Sequence, residues 1–226
     1  DAHATGNVTV AISSREYYAG GLIGIIQSAG DITDVSATGA VNVTDDGRHV
    51  GGLIGRLDHE RAGYRNRRHP YSLENASATG DVTTDGRYVG GLVGRHRFAK
   101  AVTNVSADGD VTADGDRVGG LIGRLREGDI RDATASGDVE SSSAGYVGGL
   151  IGYYYEREGG QTLERLSASG EVTGDGRYVG GLIGRAYSRR GSDLNQAAAT
   201  GTVTSTEGQV GGLVGRTRRV TITEAY

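Results

Sequence analysis

The chain has 226 residues, with 41 glycines, one proline, no cysteine and a net charge of −4. Abundant glycine with only one proline and no Gly-X-Y triplet excludes collagen. The absence of cysteine excludes disulfides and thiolate metal sites, and no apolar stretch approaches the eighteen residues of a membrane span. Small residues with a single phenylalanine indicate narrow coils rather than a conventional globular core.

The charged residues are biased in kind. Of 24 basic residues, 23 are arginine, and the 17 aspartates exceed the 11 glutamates. This bias, together with the absence of cysteine, is similar to that of proteins from salt-loving archaea. A bacterium with a GC-rich genome would give a similar bias, so both origins stay open.

Seven copies of the pentapeptide Gly-Gly-Leu-Ile/Val-Gly recur along the chain. They begin at Gly20, Gly51, Gly90, Gly119, Gly148, Gly180 and Gly211. The spacing is 29 to 32 residues apart from one interval of 39, and a fixed period in this range indicates a stacked array of repeats. Each repeat cannot bury its apolar face alone, so the fold is the stack.

Each repeat has three segments in chain order. The first has the pattern apolar-x-Asp/Asn-apolar-x-Ala-x-Gly, as in Leu73 to Gly80. The second begins at a valine such as Val82, and the third follows an Asp-Gly turn and contains the pentapeptide, as in Tyr178 to Gly184. Alternation with period two between turn residues predicts short strands.

Three strands per repeat predict an all-β parallel β-solenoid of about seven three-sided coils, right-handed, with equal positions stacked ~4.8 Å apart. The whole chain, 1–226, is expected to form one domain with an insertion loop at 57–72. The glycine columns are expected to allow sharp turns or positive φ. Adjacent Leu and Ile/Val in the pentapeptide break the alternation, which predicts a bend at the glycine pair or, alternatively, a face covered on both sides.

The stretch from Asn75 to Val82, leading into Val89 to Gly94, resembles the GLUG-motif repeat of bacterial and archaeal surface proteins. The resemblance extends over all seven repeats. It implies an extracellular, β-helical spacer or adhesive segment without catalytic residues. The chain departs from the usual corner asparagine at several repeats, namely at Asp34, Asp132, Arg165 and Gln196.

The two ends of the chain enter the repeat at the same phase. Residues 1–6 match 75–80, and residues 224–226 match 75–77. With no initiator methionine, signal peptide or capping segment, we expect a piece of a longer protein or a protomer that stacks end to end, because uncapped solenoid ends are open strand edges.

Charge separates between the loops and the rest of the chain. The loops after the pentapeptides hold 17 basic and 8 acidic residues. They predict a basic edge that is either simply solvated or binds anionic partners, such as acidic polysaccharide or another surface protein. The candidate binding residues are Arg61, Tyr64, Arg65, Arg67, Arg68, Tyr71, Tyr153, Tyr154, Tyr155, Tyr187, Arg189 and Arg190.

Three further columns are expected from the stacking. Acidic residues follow the Ala-x-Gly segment at Asp81, Asp110, Asp138 and Glu171 and are interpreted as a solvated ladder. Arginines follow the pentapeptide at Arg56, Arg95, Arg124, Arg185 and Arg216 and are expected to bridge to acids of adjacent loops. Tyrosines precede it at Tyr18, Tyr88, Tyr146 and Tyr178 and are expected to stack outward.

Four sequons make asparagine glycosylation a candidate modification. They begin at Asn7, Asn42, Asn75 and Asn104. Asn75 and Asn104 occupy the corner position, where an unmodified asparagine stacks and bonds instead.

These features predict a non-catalytic, extracellular structural and adhesive segment of a cell-surface protein or filament. No cofactor, metal site, membrane span or nucleic-acid partner is expected; the expected partners are identical subunits or further repeats end to end. The alternatives are a β-helical polysaccharide-processing enzyme, for which stacked carboxylates offer the ~5 Å separation of a glycosidase pair, and a viral tail-fibre segment.

Overall fold

The computed structural model describes residues 1–11, 17–27, 30–44, 48–58, 72–97, 100–142 and 145–226. In these ranges the regular elements are all β-strands. They stack in parallel as a β-solenoid of about six turns with three sheets, which confirms the predicted fold class. No helix in the described ranges is long and apolar enough to cross a bilayer.

Each level of the solenoid contains four short strands rather than the three expected. First strands are Ala2–Ala4, Ile32–Ala37, Ser72–Ala78, Ala101–Ala107, Asp129–Ala135 and Thr162–Ala168. Second strands are Val8–Val10, Val41–Val43, Val82–Thr84, Val111–Ala113, Val139–Ser141, Val172–Gly174 and Val203–Thr204. The second strands form one seven-stranded sheet.

The remaining strands flank the glycine pair. Third strands are Tyr18–Gly20, His49–Gly51, Tyr88–Gly90, Arg117–Gly119, Tyr146–Gly148, Tyr178–Gly180 and Gln209–Gly211. Fourth strands are Ile23–Gln27, Ile54–Asp58, Val93–Arg97, Ile122–Arg126, Ile151–Glu156, Ile183–Ala199 and Val214–Ala225. The last two run on into first-strand positions, so first and fourth strands share a thirteen-stranded sheet.

The bend predicted at the glycine pair separates the third strand from the fourth. Between Tyr88–Gly90 and Val93–Arg97 the chain bends at Gly91 and Leu92. Leu92 and Val93 are both fully buried, because the bend turns two adjacent side chains into the core. The predicted third segment is therefore two strands, which accounts for the fourth strand in each level.

Glycine is required in the pentapeptide by close backbone contact, and these glycines do not have a positive φ. A Cβ on Gly91 would lie 2.2 Å from the carbonyl oxygen of Gly120 in the next level and 3.0 Å from the Cβ of Ala107. A Cβ on Gly94 would lie 2.6 Å from the carbonyl oxygens of Gly55 and Val50. The glycine columns thus let backbone pack directly on backbone.

Left-handed backbone occurs instead at a column of non-glycine residues in the first strand. Its members have φ between 50° and 56° and are Asp34, Asn75, Asn104, Asp132, Arg165, Gln196 and Glu224. This conformation turns the strand at a sharp corner, and asparagine and aspartate tolerate it better than other non-glycine residues. The corner departures noted in the sequence therefore fall on the left-handed backbone position of the first strand.

The core has two lobes. The larger lobe lies between the first and fourth strands and contains Leu53, Ile54, Leu73 and Ala76. The smaller lobe lies between the second and third strands and is mostly valine, as in Val82 and its neighbours. The contact between the second pentapeptide glycine and the alanine of Ala-x-Gly narrows the coil at the waist between the lobes.

His96 and Tyr154 are large side chains that carry polar groups into the larger lobe. His96 pairs in register with Leu125 and is fully buried, and burial lowers its pKa to about 4 against a partial opposing effect of Asp58. Tyr154 lies between Leu125 and Ala186 in the same column and is also fully buried. The small side chain of Ala186 leaves room for the tyrosine ring.

Candidate functional site

Three columns of outward side chains line the third and fourth strands; together they are called the Arg–Tyr face. The third strand contributes Tyr18, His49, Tyr88, Arg117, Tyr146, Tyr178 and Gln209. The fourth strand contributes Ile25, Arg56, Arg95, Arg124, Tyr153, Arg185 and Arg216, and then Gln27, Asp58, Arg97, Arg126, Tyr155, Tyr187 and Arg218. Among these described positions Asp58 is the single acidic residue.

Guanidinium groups and phenol rings alternate across the face. The Cζ of Arg117 lies 5.0 Å from the ring centroid of Tyr88 and 5.3 Å from that of Tyr146. The Cζ of Arg185 lies 5.6 Å from the ring centroid of Tyr178. These distances fall within the range of cation–π attraction, which strengthens as the pair is desolvated.

Rings stack directly where no arginine intervenes. Tyr146 and Tyr178 stack with centroids 5.5 Å apart, and His49 and Tyr88 with centroids 4.8 Å apart. Tyr88 and Tyr178 are only 8% and 1% exposed. The face is therefore a packed layer outside the two core lobes rather than a set of solvated side chains.

Hydrogen bonds tie neighbouring levels of the face together. Arg56 Nη1 donates to Tyr18 Oη at 2.8 Å, and Arg185 Nη1 donates to Tyr146 Oη at 3.3 Å. Arg216 makes the equivalent bond to Tyr178. Each bond joins an arginine to a tyrosine of the preceding level.

Positive charge accumulates on the face without an equal number of acids. Within the described residues Arg56 pairs with Asp58, Arg117 pairs with Asp116 beside the face, and Arg126 pairs with its chain neighbour Glu127. Burial, with Arg124, Arg56 and Arg97 nearby, lowers the pKa of Arg95 to about 10 despite the opposing charge of Asp58. Burial first, and then the same crowding of arginines, lowers the pKa of His49 to about 2.

The predicted roles of the arginine and tyrosine columns need correction. The sequence predicts bridges from the arginines to acids of adjacent loops, but apart from the Arg56–Asp58 pair the described column packs on tyrosine rings. It also predicts tyrosines stacked on one another outward, which holds for Tyr146 and Tyr178, but Arg117 interrupts the column and arginines cover the rings. The arginines of the fourth strand cover the rings because neighbouring strands place the two columns side by side, whereas Arg117 belongs to the tyrosine column itself.

The predicted basic edge is only partly within the described residues. Arg61, Tyr64, Arg65, Arg67, Arg68 and Tyr71 lie outside them. Tyr153, Tyr155 and Tyr187 are half-buried in the Arg–Tyr face, and Arg189 and Arg190 are exposed beside it. The assignment of Tyr154 to this edge is wrong, because its side chain points into the core and is fully buried.

The acidic column, interpreted as a solvated ladder, bonds from level to level. Asp81 Oδ1 accepts the backbone N–H of Asp110 at 3.0 Å, Asp110 Oδ1 accepts that of Asp138 at 2.8 Å, and Asp138 Oδ1 accepts that of Glu171 at 2.7 Å. The carboxylates thus satisfy backbone donors at the turn before the second strand. Among the described residues no group of three or more His, Cys, Asp or Glu could hold a metal ion.

The asparagine corner forms a second bonded column. Asn104 Nδ2 donates to Asn75 Oδ1 at 2.7 Å, and Asn75 Nδ2 donates to Asp34 Oδ1 at 3.0 Å. Arg165 continues the column through bonds to Asp132. The two asparagines border a shallow hollow of about 500 Å³, and both are exposed.

The two other sequons lie at the start of the chain and on the second-strand sheet. Asn7 Oδ1 accepts the backbone N–H of Ala40 at 3.0 Å, and Asn42 lies in Val41–Val43 with its side chain half-buried. Glycosylation at Asn7, Asn42, Asn75 and Asn104 stays a prediction.

A family model for the GLUG motif matches residues 16–44, 85–112 and 114–140. The chain carries GLUG motifs. An 85-residue stretch, 36% of this chain, is 49% identical to halomucin of Haloquadratum walsbyi (strain DSM 16790 / HBSQ001). The match spans 1% of the length of halomucin. No solved structure matches the chain significantly.

The sequence contains the signals for the Arg–Tyr face, but reasoning from one strand at a time assigns them to separate columns. In each repeat the residue before Val-Gly-Gly and the residue after the last pentapeptide glycine lie on either side of one bend. The bend brings Tyr88 of one level beside Arg124 of the next, with Arg124 Cζ 5.9 Å from the ring centroid. The alternation of Tyr, His and Arg in one column also indicates cation–π stacking rather than a pure aromatic ladder.

Proposed function

We propose that this chain is a non-catalytic, extracellular structural and adhesive segment of a cell-surface protein or filament. The GLUG motifs, whose resemblance to a repeat of bacterial and archaeal surface proteins is described above, and the similarity to halomucin support the cell-surface location. The acidic residues weighed above as a glycosidase pair accept backbone N–H groups between levels, which supports a structural rather than a catalytic role.

The observation that supports continuation end to end is the exposure of apolar side chains in the last level. Val210 and Ile222 are 49% and 40% exposed, whereas Val179 and Leu194, at the same repeat positions one level earlier, are fully buried. Another level would cover them. Its source is either a further repeat of a longer chain or a second copy of this chain.

Two glycine substitutions test this stacking without disturbing the solenoid. The second pentapeptide glycine faces the following level, and a Cβ on Gly212 meets nothing within 4 Å. The glycine of Ala-x-Gly faces the preceding level, and a Cβ on Gly6 also meets nothing within 4 Å. Gly212→Ala and Gly6→Ala should each leave the melting temperature unchanged and block one end of the rod.

The measurement is the mass of the chain in solution against concentration, with electron microscopy of the products. We expect wild-type rods longer than one chain and shorter species for either variant. If the wild type and both variants have the mass of a single chain at every concentration, stacking between copies is contradicted. Stacking within a longer protein is then tested on a chain extended by one more repeat, by measuring hydrogen exchange of the Val210 and Ile222 amides. If these amides exchange as fast in the extended chain as in the original chain, stacking within a longer protein is contradicted as well.

The cell-surface location has its own test. Antibodies against the solenoid should label intact cells of the source organism as strongly as permeabilised cells. Labelling that requires permeabilisation would place the chain inside the cell.

A further inference from the structure

The Arg–Tyr face has a composition that its packing does not explain. Leucine or isoleucine would also cover aromatic rings in a packed layer, and the same column does hold an isoleucine, Ile25, in the first level. The chain instead places arginine in this column at Arg56, Arg95, Arg124, Arg185 and Arg216. Burial and mutual repulsion lower the pKa of Arg95 and Arg124, so the grouping of like charges is itself unfavourable for the isolated chain.

Donor atoms on the described part of the face lack acceptors. The buried Nε atoms of Arg95, Arg117, Arg124 and Arg185 have no hydrogen-bond partner among the described residues. A buried donor without an acceptor destabilises a protein, because it has lost its bond to water and gained none in return. Because these Nε atoms are themselves buried, an anion outside the face would contact only the terminal Nη nitrogens of the half-buried arginines, and there it would neutralise the crowded charge.

The spacing of the face favours a linear ligand. Each column offers one residue per level, in register from His49 and Arg56 to Tyr178 and Arg216. Levels repeat at the strand spacing of ~4.8 Å. A polymer with an anionic group at regular intervals can contact several levels at once, whereas a small anion contacts only one or two.

We propose that the Arg–Tyr face binds a linear carboxylated polysaccharide along the solenoid axis. The guanidinium fork matches a carboxylate in shape and charge. The partly exposed rings of Tyr153, Tyr155 and Tyr187 provide aromatic surface beside the arginines. This site deepens the adhesive part of the proposed function and rests on it; end-to-end stacking is tested separately by the glycine variants.

The acidic column of a second copy is the competing occupant. Its carboxylates already accept backbone N–H groups from the next level, which leaves them fewer free acceptor positions than the carboxylates of a polysaccharide have. The polymer therefore fits the face better.

The test uses polygalacturonate as the anionic probe and dextran as the neutral control, with binding measured by titration calorimetry. We expect polygalacturonate to bind, dextran not to bind, and affinity to fall as sodium chloride is added. Oligogalacturonates should bind more tightly as their length increases, because they span more levels. Equal binding of dextran, or affinity independent of length, would overturn the proposal.

The variant Arg95→Gln/Arg124→Gln/Arg185→Gln removes charge from the face. It should weaken polygalacturonate binding by about tenfold or more, with an unchanged circular dichroism spectrum. Arg189→Gln/Arg190→Gln changes exposed arginines beside the face and should alter affinity less than about twofold. The reverse ranking would assign binding to the loops instead.

Two further outcomes decide the remaining alternatives. If the triple glutamine variant does not fold, Arg95→Lys/Arg124→Lys/Arg185→Lys retains charge without the planar fork and should still bind more weakly than wild type; unchanged affinity would overturn the proposal. If the triple glutamine variant loses self-association but binds polygalacturonate like wild type, the face binds the acidic column of another copy and the proposal is wrong.

Discussion

Two adjacent levels of the solenoid have the same sequence pattern and different surroundings. Val179 and Leu194 are fully buried, while Val210 and Ile222, their register partners in the last level, are 49% and 40% exposed. The side chains are similar in size and chemistry, so the difference comes from the neighbouring level alone. Stability in such an array is a sum of contacts between nearest neighbours, and identical substitutions should therefore differ with level.

The largest difference is expected for alanine at the second pentapeptide glycine. A Cβ on Gly181 would lie 2.1 Å from the carbonyl oxygen of Gly212, and neither backbone can move without shifting a whole level. Gly181→Ala should reduce the free energy of unfolding by about 4 kcal/mol. Gly212→Ala, with open space beside it, should reduce it by less than about 1 kcal/mol; urea unfolding midpoints that fall equally would contradict the comparison.

The next largest difference in stability between the two levels is expected for truncation of an apolar side chain. Leu194→Ala removes a fully buried side chain and should destabilise the chain by about 3 kcal/mol through lost burial and a cavity. Ile222→Ala, at the same position one level later, should change stability by less than about 1 kcal/mol. The comparison is made by urea unfolding at protein concentrations low enough to prevent stacking, where equal losses would show that the last level is covered.

The buried side chain of His96 should make the stability of the solenoid depend on pH. Burial lowers the pKa of His96 to about 4 from the ordinary 6.5, so the unfolded chain binds the proton first as the pH falls. Stability from this residue is fully present above pH 6.5 and is lost as the pH falls towards 4, by up to roughly 3 kcal/mol.

The matched variants are His96→Leu and Thr217→His, which occupy one column. His96→Leu should reduce the loss of melting temperature between about pH 7 and pH 4, with a residual loss from His49, whose pKa burial also lowers. Thr217 is exposed in the last level, so Thr217→His should add no loss. Melting curves that show the same acid sensitivity before and after His96→Leu would contradict this assignment.

The smallest change in stability is expected for substitutions at the left-handed corner, and it should be equal in both levels. Gln196 and Glu224 have φ of 51° and 50° at the left-handed corner. Asparagine adopts this conformation more readily, so Gln196→Asn and Glu224→Asn should each raise the free energy of unfolding by about 0.5 kcal/mol. This strain is local and independent of neighbours; a gain at only one of the two sites would show that side-chain contacts decide it.

The sequence alone is sufficient to predict the repeat, the columns of stacked side chains and the bend at the glycine pair. The period of the pentapeptide and the alternation around Val82 and Leu73 predict stacked strands, because both patterns follow from side-chain direction along a strand. The same reasoning gives residue registers such as Arg95 beside Arg124, which the structure confirms.

Contacts between different columns of side chains cannot be predicted from the side-chain pattern along a single strand. The run of three tyrosines suggests a loop and places Tyr154 on the surface with Tyr153, but a single-residue shift along a strand reverses the side to which a side chain points. The packing of Arg124 on the ring of Tyr88, at 5.9 Å, depends on the distance between two strands across a bend. That distance is set by backbone contact at the glycines, which no periodicity in one strand contains.

The glycine contacts also give the rod a mechanical character. A Cβ built on Gly91 reaches the oxygen of the next level at 2.2 Å, so the backbones already lie at contact distance and shortening the rod would force them into overlap. Lengthening it would stretch the hydrogen bonds between levels, as in Leu92 N–H to Leu121 oxygen at 2.9 Å. Main-chain contacts therefore resist both compression and extension along the axis of the rod. Surface side chains can vary without lowering this axial stiffness.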